Sequence, residues 1–121
     1  MTTAEIPVIN PAEVEAHIRE ISNRIAKGVG VVTAAEREAK ARRRDFDLAY
    51  AHAYKNTEGP VHERRYAADI TAMPHREAAE NAEIAFKHAE RTARALEKEL
   101  MAWQSIGSSV RMMYGAAGVA S

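Results

Sequence analysis

From Pro74 to about Tyr114 the chain holds nothing that would stop a helix except the Gly107-Ser-Ser stretch. Over that span Phe86, Ala89, Ala93, Leu96, Leu100, Trp103, Gly107, Val110 and Tyr114 recur at alternating intervals of three and four. That rhythm is the seam of a coiled coil, sustained for about four heptads. Unbroken, such a helix is about 60 Å long at a rise of 1.5 Å per residue. A compact domain of this chain length has a radius of gyration of only about 13–14 Å. The spacing therefore predicts an overhanging apolar seam that must find another surface. The expected fold is all-α: a helical hairpin or bundle with a long C-terminal helix, oligomerising through coiled-coil-like packing. Phe86, Leu96, Leu100, Trp103, Val110 and Tyr114 are the expected oligomer interface.

The rest of the chain divides at capping and breaking residues. Residues 1–9 read as a flexible leader. Asn10-Pro11 is a helix start, with Asn as N-cap and Pro at the first helical position. Val14, Ile18, Ile21 and Ile25 then form one apolar stripe on a helix of about 11–27, which Gly28-Val-Gly30 is expected to end. Thr33-Ala-Ala-Glu36 has the form of a capping box opening a second helix, Arg37–Thr57. Glu58-Gly59-Pro60 stops it, because Gly favours a C-cap and Pro cannot continue a helix. A short helix from Val61 to Ala72 is expected next, with Pro74 either breaking the pattern or sitting in the first turn of the long helix. Residues 115–121 read as a flexible tail, which leaves 10–114 as a single helical domain.

Composition limits what such helices can do. The chain has 121 residues, enough for one ordinary domain. Of its apolar residues 25 are Ala and three are Leu, so a private core would bury little area. Strong helix propensity with a thin core again points to partner subunits. Formal net charge is zero, from 17 basic and 17 acidic residues. A globally basic nucleic-acid binder is not indicated, although a local patch is compatible with neutrality. There is no Cys, which excludes disulfides and thiolate chemistry and suits a reducing compartment. No apolar run approaches the ~20 residues needed to span a bilayer. The N-terminus, Met1-Thr-Thr-Ala-Glu-Ile-Pro, lacks the features of a signal peptide. The expected location is the cytoplasm.

No catalytic constellation emerges. The five His residues (His17, His52, His62, His75 and His88) lack the spacing that sets two metal ligands on one helix face, so no metal or other cofactor is expected. Glu77, Glu80, Glu83, Glu90 and Glu97 read as a solvated face, with Glu83–Lys87 and Glu90–Arg94 at favourable i, i+4 spacing. No enzyme is expected, because nothing supplies converging polar groups. Two basic features stand out. Arg37, Lys40, Arg42, Arg43 and Arg44 form a cluster diluted by Glu36, Glu38 and Asp45. Three adjacent Arg span most of a helix circumference, so at least one should face a partner or groove. The second feature is the stripe Lys87, Arg91, Arg94 and Lys98. For both, ion pairing to neighbouring carboxylates is the plainer reading. Phe46, Tyr50, Tyr54 and Tyr66 lie near the first cluster. Rings beside a basic groove suit single-stranded nucleic acid, and core packing is the competing explanation.

The order of these features resembles a known family. A helix closing Ala49-Tyr-Ala-His-Ala-Tyr54 is followed by Thr57-Glu-Gly-Pro-Val-His-Glu-Arg64. A last helix then closes Leu100-Met-Ala-Trp-Gln-Ser-Ile-Gly-Ser-Ser-Val-Arg-Met-Met-Tyr114. Over roughly residues 35–115 this is similar to small phage proteins of the UvsY-like recombination mediator family. The resemblance implies a non-enzymatic accessory protein of the host cytoplasm. Such a protein binds single-stranded DNA, forms a ring-like homo-oligomer, and helps load a recombinase onto DNA covered by single-strand-binding protein. The family's Lys-x-Arg pair has no counterpart around Tyr50–His52. Arg42, Arg43, Arg44 and Lys55 are the expected phosphate contacts, with Arg64 and Arg65 next, and Tyr54 and Tyr66 as base-stacking rings. A helical adaptor without DNA binding, such as a virion component or an inhibitor of a host protein, is the alternative.

Overall fold

A computed structural model describes residues 10–120, with side chains described through residue 115. The expected leader, residues 1–9, and the last residue of the expected tail lie outside the described residues. The architecture is all-α, with two long helices joined as a hairpin and no strand among the described residues. Helix α1 is Pro11–Asn56 and helix α2 is Val61–Ala120. Among the described residues no helix is long and apolar enough to cross a membrane.

The two ends of α1 form as their residues dictate. Asn10 Oδ1 accepts a hydrogen bond from the Glu13 N–H at 2.9 Å, and the Asn10 carbonyl accepts from the Val14 N–H. This is the N-cap expected ahead of Pro11. At the other end the Thr57 hydroxyl donates to the Ala53 carbonyl. Gly59 then takes a φ of 119°, the only positive φ among the described residues. A side chain there would be strained, and the position of its Cβ would also lie 2.9 Å from Glu63 Oε2. The Arg64 N–H donates to the Pro60 carbonyl and starts α2.

Three expected interruptions are absent. Gly28-Val-Gly30 does not end a helix, since neither glycine adopts the left-handed conformation of a C-cap and the ladder continues through both. Each interior Gly costs about 1 kcal/mol relative to Ala, which the long flanking runs of helix formers outweigh. Thr33 caps nothing. Its hydroxyl donates to the Val29 carbonyl four residues back, as Thr does inside a helix. Residues 61–72 are not a separate short helix, because α2 passes straight through Pro74. Pro74 and the neighbouring Ile70, Met73 and His75 are exposed. Water can therefore serve the Ile70 carbonyl, which has lost its N–H donor. Beyond Tyr114 the helix carries on to Ala120.

The chain separates into two compact units. In the first, the stretch up to Lys27 packs with the stretch from Ala93 onward. Val14, Ile21, Leu96 and Val110 are buried there. Gly107 is buried as well, and a Cβ on it would lie 3.0 Å from Val14 Cγ1 and 3.9 Å from Ile18 Cδ1. The absent side chain is what lets the two backbones approach. His17 stacks on Trp103 with ring centroids 4.1 Å apart and planes 11° from parallel.

The second unit is Gly28–Thr92, the part of the hairpin that holds the turn. Its buried apolar residues are three alanines: Ala39, Ala68 and Ala72. Among its larger apolar side chains Leu48, Tyr66, Ile70, Met73 and Ile84 are exposed, and Phe46, Tyr50, Tyr54 and Phe86 are half-buried.

These placements correct the basis on which the oligomer interface was expected. Leu96 and Val110 are buried, and Leu100 and Trp103 half-buried, within the first unit of the same chain. Phe86 is half-buried in the second unit. Of the six, Tyr114 alone is exposed. Within the chain α1 covers Leu96 and Val110, while Phe86, Leu100 and Trp103 keep part of their surface open.

Candidate nucleic-acid interface

The basic cluster of α1 is sorted by its own carboxylates. Lys40 Nζ lies 3.0 Å from Glu36 Oε1, one turn earlier. Arg43 Nε lies 3.6 Å from Asp47 Oδ1, one turn later. Arg42 is held from both sides, with Nε 3.3 Å from Glu38 Oε1 and Nη1 3.2 Å from Asp45 Oδ2. The contact to Glu38 is a Coulombic one: Arg42 Nε is buried, and its N–H is not aimed well enough to count as a hydrogen bond. Arg37 and Arg44 have no ion-pair partner among the described residues, and both are exposed.

Arg37 and Arg44 are seven residues apart, and Lys55 follows eleven residues after Arg44. On a helix of 3.6 residues per turn these steps return within about 20° of the starting direction. The three cations therefore form one row, about 27 Å long at 1.5 Å per residue. Lys55 is exposed, has no ion pair among the described residues, and sits in the last turn of α1, where a positive charge also complements the helix dipole. Leu48, also exposed, lies along the same row. Beside Arg37 and Arg44 the surface dips into a hollow of about 500 Å³ also lined by Ala34, Glu38, Lys40 and Ala41. This is a face on which a chain of phosphates would meet cations not already committed to carboxylates.

The aromatic residues make a second row, turned toward α2. Phe46, Tyr50 and Tyr54 succeed one another at 6.3 and 6.4 Å between ring centroids. The Arg64 guanidinium lies 4.3 Å from the centre of the Tyr54 ring, and its Nε–H donates to the Tyr54 carbonyl at 3.2 Å. At the far end Arg43 and Arg76 lie 5.8 and 5.2 Å from the Phe46 ring centre. Arg76 is paired to Asp69 at 3.3 Å. Phe46, Lys40, Arg43, Arg76, Glu80 and Ile84 line an open groove of about 700 Å³. Cation–π contacts of this kind hold the arginines as well as the rings.

The residues expected to contact DNA therefore part company. Arg44, Lys55, Arg65 and Tyr66 are exposed. Arg42 and Arg43 are engaged with carboxylates, and Arg64 is spent on Tyr54. Tyr54 is half-buried with Arg64 against its ring and Tyr50 beside it, so packing accounts for it. Tyr66, 67% exposed, keeps its ring free. Two residues were not among the expected contacts. Arg37 shares the row with Arg44 and Lys55, and its seven-residue spacing from Arg44 was the available signal. Arg76 reaches Phe46 because both lie at similar distances from the Gly59-Pro60 turn, which becomes visible only once α2 runs unbroken through Pro74.

Among the described residues no group of three or more His, Asp or Glu could hold a metal ion. No family model, curated protein or solved structure matches the chain.

Proposed function

We propose that this chain is a phage recombination mediator. In this reading it is a non-enzymatic homo-oligomer of the host cytoplasm that binds single-stranded DNA and helps a recombinase displace single-strand-binding protein. The mediator role rests on the sequence resemblance across residues 35–115. The DNA-binding part is supported chiefly by the row of Arg37, Arg44 and Lys55, three exposed cations on one face of α1 without ion pairs. A cation already paired must give up its carboxylate to meet a phosphate, and the carboxylate stays nearby to repel the strand. The three cations of the row have no carboxylate to give up, and Glu38 is the acidic neighbour at the hollow beside Arg37 and Arg44. Arg65 and Tyr66, exposed at the start of α2, extend the contact set with a charge and a stacking surface. Assembly repeats a weak site, so the oligomer gains by avidity what the neutral subunit lacks.

Fluorescence anisotropy with labelled oligo-dT tests this. Binding is expected at about 50 mM salt and to weaken steeply by about 200 mM. Three neutralised phosphates per subunit give a slope of log K against log salt of about −2 per subunit. The triple variant Arg37→Ala/Arg44→Ala/Lys55→Ala should weaken binding and flatten the slope. Arg42→Ala/Arg43→Ala should do much less. No binding at low salt, or equal losses in the two variants, overturns the reading.

The adaptor reading draws on a different observation, the exposed Leu48, Tyr66, Ile70 and Met73 on a chain with no net charge. It predicts indifference to oligo-dT together with a defined complex with another protein.

A further inference from the structure

An exposed face of α2 carries a pattern that reaches beyond the groove beside Phe46, whose rim it shares at Glu80 and Ile84. Met73, Glu77, Glu80, Ile84, His88 and Arg91 follow one another at intervals of four, three, four, four and three. On a helix they form one stripe. All six are exposed, Ile84 at 66%, and none of them coincides with the buried Ala68 and Ala72. The order of charge along the stripe is simple. Two carboxylates precede Ile84, and a His and an Arg follow it. Glu77, Glu80 and Arg91 have no ion-pair partner among the described residues.

We infer that this stripe is a self-association surface, where α2 of a second copy packs antiparallel about a two-fold axis at Ile84. Antiparallel pairing centred there sets Glu77 of each copy opposite Arg91 of the other, and Glu80 opposite His88. The Glu77–Arg91 ion pair and the Glu80–His88 contact each occur twice, about 6–10 Å from the axis at 1.5 Å per residue, and Ile84 meets Ile84 between them. A parallel arrangement would instead set Glu77 against Glu77 and Arg91 against Arg91. The charges therefore select the orientation as well as the partner.

The need for such a partner comes from the same unit. Gly28–Thr92 buries three alanines and no larger apolar side chain, while Tyr66, Ile70, Met73 and Ile84 are exposed on α2. Alanine burial removes little apolar area from water. A second copy on this face would cover Met73 and Ile84 with apolar surface and leave the Arg37, Arg44 and Lys55 row of α1 open. The surface is distinct from the Leu96 to Val110 seam, which is occupied within the chain.

As a two-fold contact it closes at a dimer, the building block of the homo-oligomer of the proposed function, and it rests on that reading for nothing else. Assembly is measured without DNA, so the two can fail separately. Light scattering after size exclusion should give a multiple of the 13.3 kDa chain mass. Glu77→Lys/Glu80→Lys should lower that mass at least twofold, and so should His88→Glu/Arg91→Glu. Mixing the two variants pairs every reversed charge with its complement and should restore the wild-type mass. That recovery excludes misfolding as the cause of the loss. The chain has no Cys, so Ile84→Cys places a single thiol at the axis, and mild oxidation should give a covalent dimer. A monomeric wild type, reversal variants of unchanged mass, or a mixture that fails to recover would overturn the inference.

Discussion

Arg42 and Arg44 stand two positions apart with the same side chain, and their surroundings give them opposite roles. Arg42 is enclosed by Glu38 and Asp45, whereas Arg44 makes no ion pair among the described residues. Exposed ion pairs contribute only about 0.2–1 kcal/mol to stability, so the difference concerns the charge available to a ligand more than folding. The glycines divide in the same way. Gly28 and Gly30 have nothing within 4 Å of where a Cβ would stand, while Gly107 faces Val14 Cγ1 at 3.0 Å. Val14 is buried and β-branched, so it cannot swing aside. Gly28→Ala and Gly30→Ala should each stabilise the protein by about 0.5–1 kcal/mol, through helix propensity and a less flexible unfolded chain. Gly107→Ala should gain nothing, and Gly107→Leu should lose about 1–3 kcal/mol by overpacking. Urea melts at one fixed protein concentration would rank the four variants. A Gly107→Ala gain equal to that at Gly28 would argue against the close approach of α1 and α2.

At the scale of the element, both helices tolerate residues that usually end them. Pro74 deprives the Ile70 carbonyl of its donor inside α2, at a cost of about 3 kcal/mol in a helix interior. The exposure of that turn lets water recover part of the cost. Pro74→Ala restores the N–H and should raise stability by about 1–3 kcal/mol. Amide exchange should slow most over the turn that follows Ile70, because the new hydrogen bond forms there. An unchanged melting temperature together with unchanged exchange would show that α2 does not run through this turn as one helix.

For the whole molecule the controlling fact is the thinness of what one chain buries. Seven apolar residues are buried in all among the described residues, three of them alanine. A partner that binds the folded chain and not the unfolded one adds stability in proportion to the logarithm of its concentration. The melting temperature should therefore rise with protein concentration across a hundredfold dilution series. It should stop doing so in Glu77→Lys/Glu80→Lys, which removes the proposed self-contact. A concentration-independent wild-type transition would mean that one chain suffices. Oligo-dT at low salt should raise the melting temperature by the same mass action, and added salt should abolish the increase.

The sequence alone determined that the protein is helical, where α1 begins and where the hairpin turns. Those features are local: an Asn-Pro cap, a Gly-Pro turn, and a three-four repeat of apolar residues act within a few positions of themselves. It did not determine that Gly28-Val-Gly30, Thr33 and Pro74 lie inside helices. Breaker residues carry modest costs, and the decision belongs to the packing and helix length on either side. The seam from Phe86 to Val110 was equally legible, but its partner was not. Periodicity says that a stripe must be covered and is silent on what covers it. The tertiary structure decided that α1 of the same chain covers Leu96 and Val110 and leaves Phe86, Leu100 and Trp103 half-buried. The candidate site followed the same division. That Arg and Lys cluster near residue 40 is written in the sequence. Which of them stay unpaired depended on where each carboxylate falls around the helix, and on the rings of Tyr54 and Phe46 that take up Arg64 and Arg76.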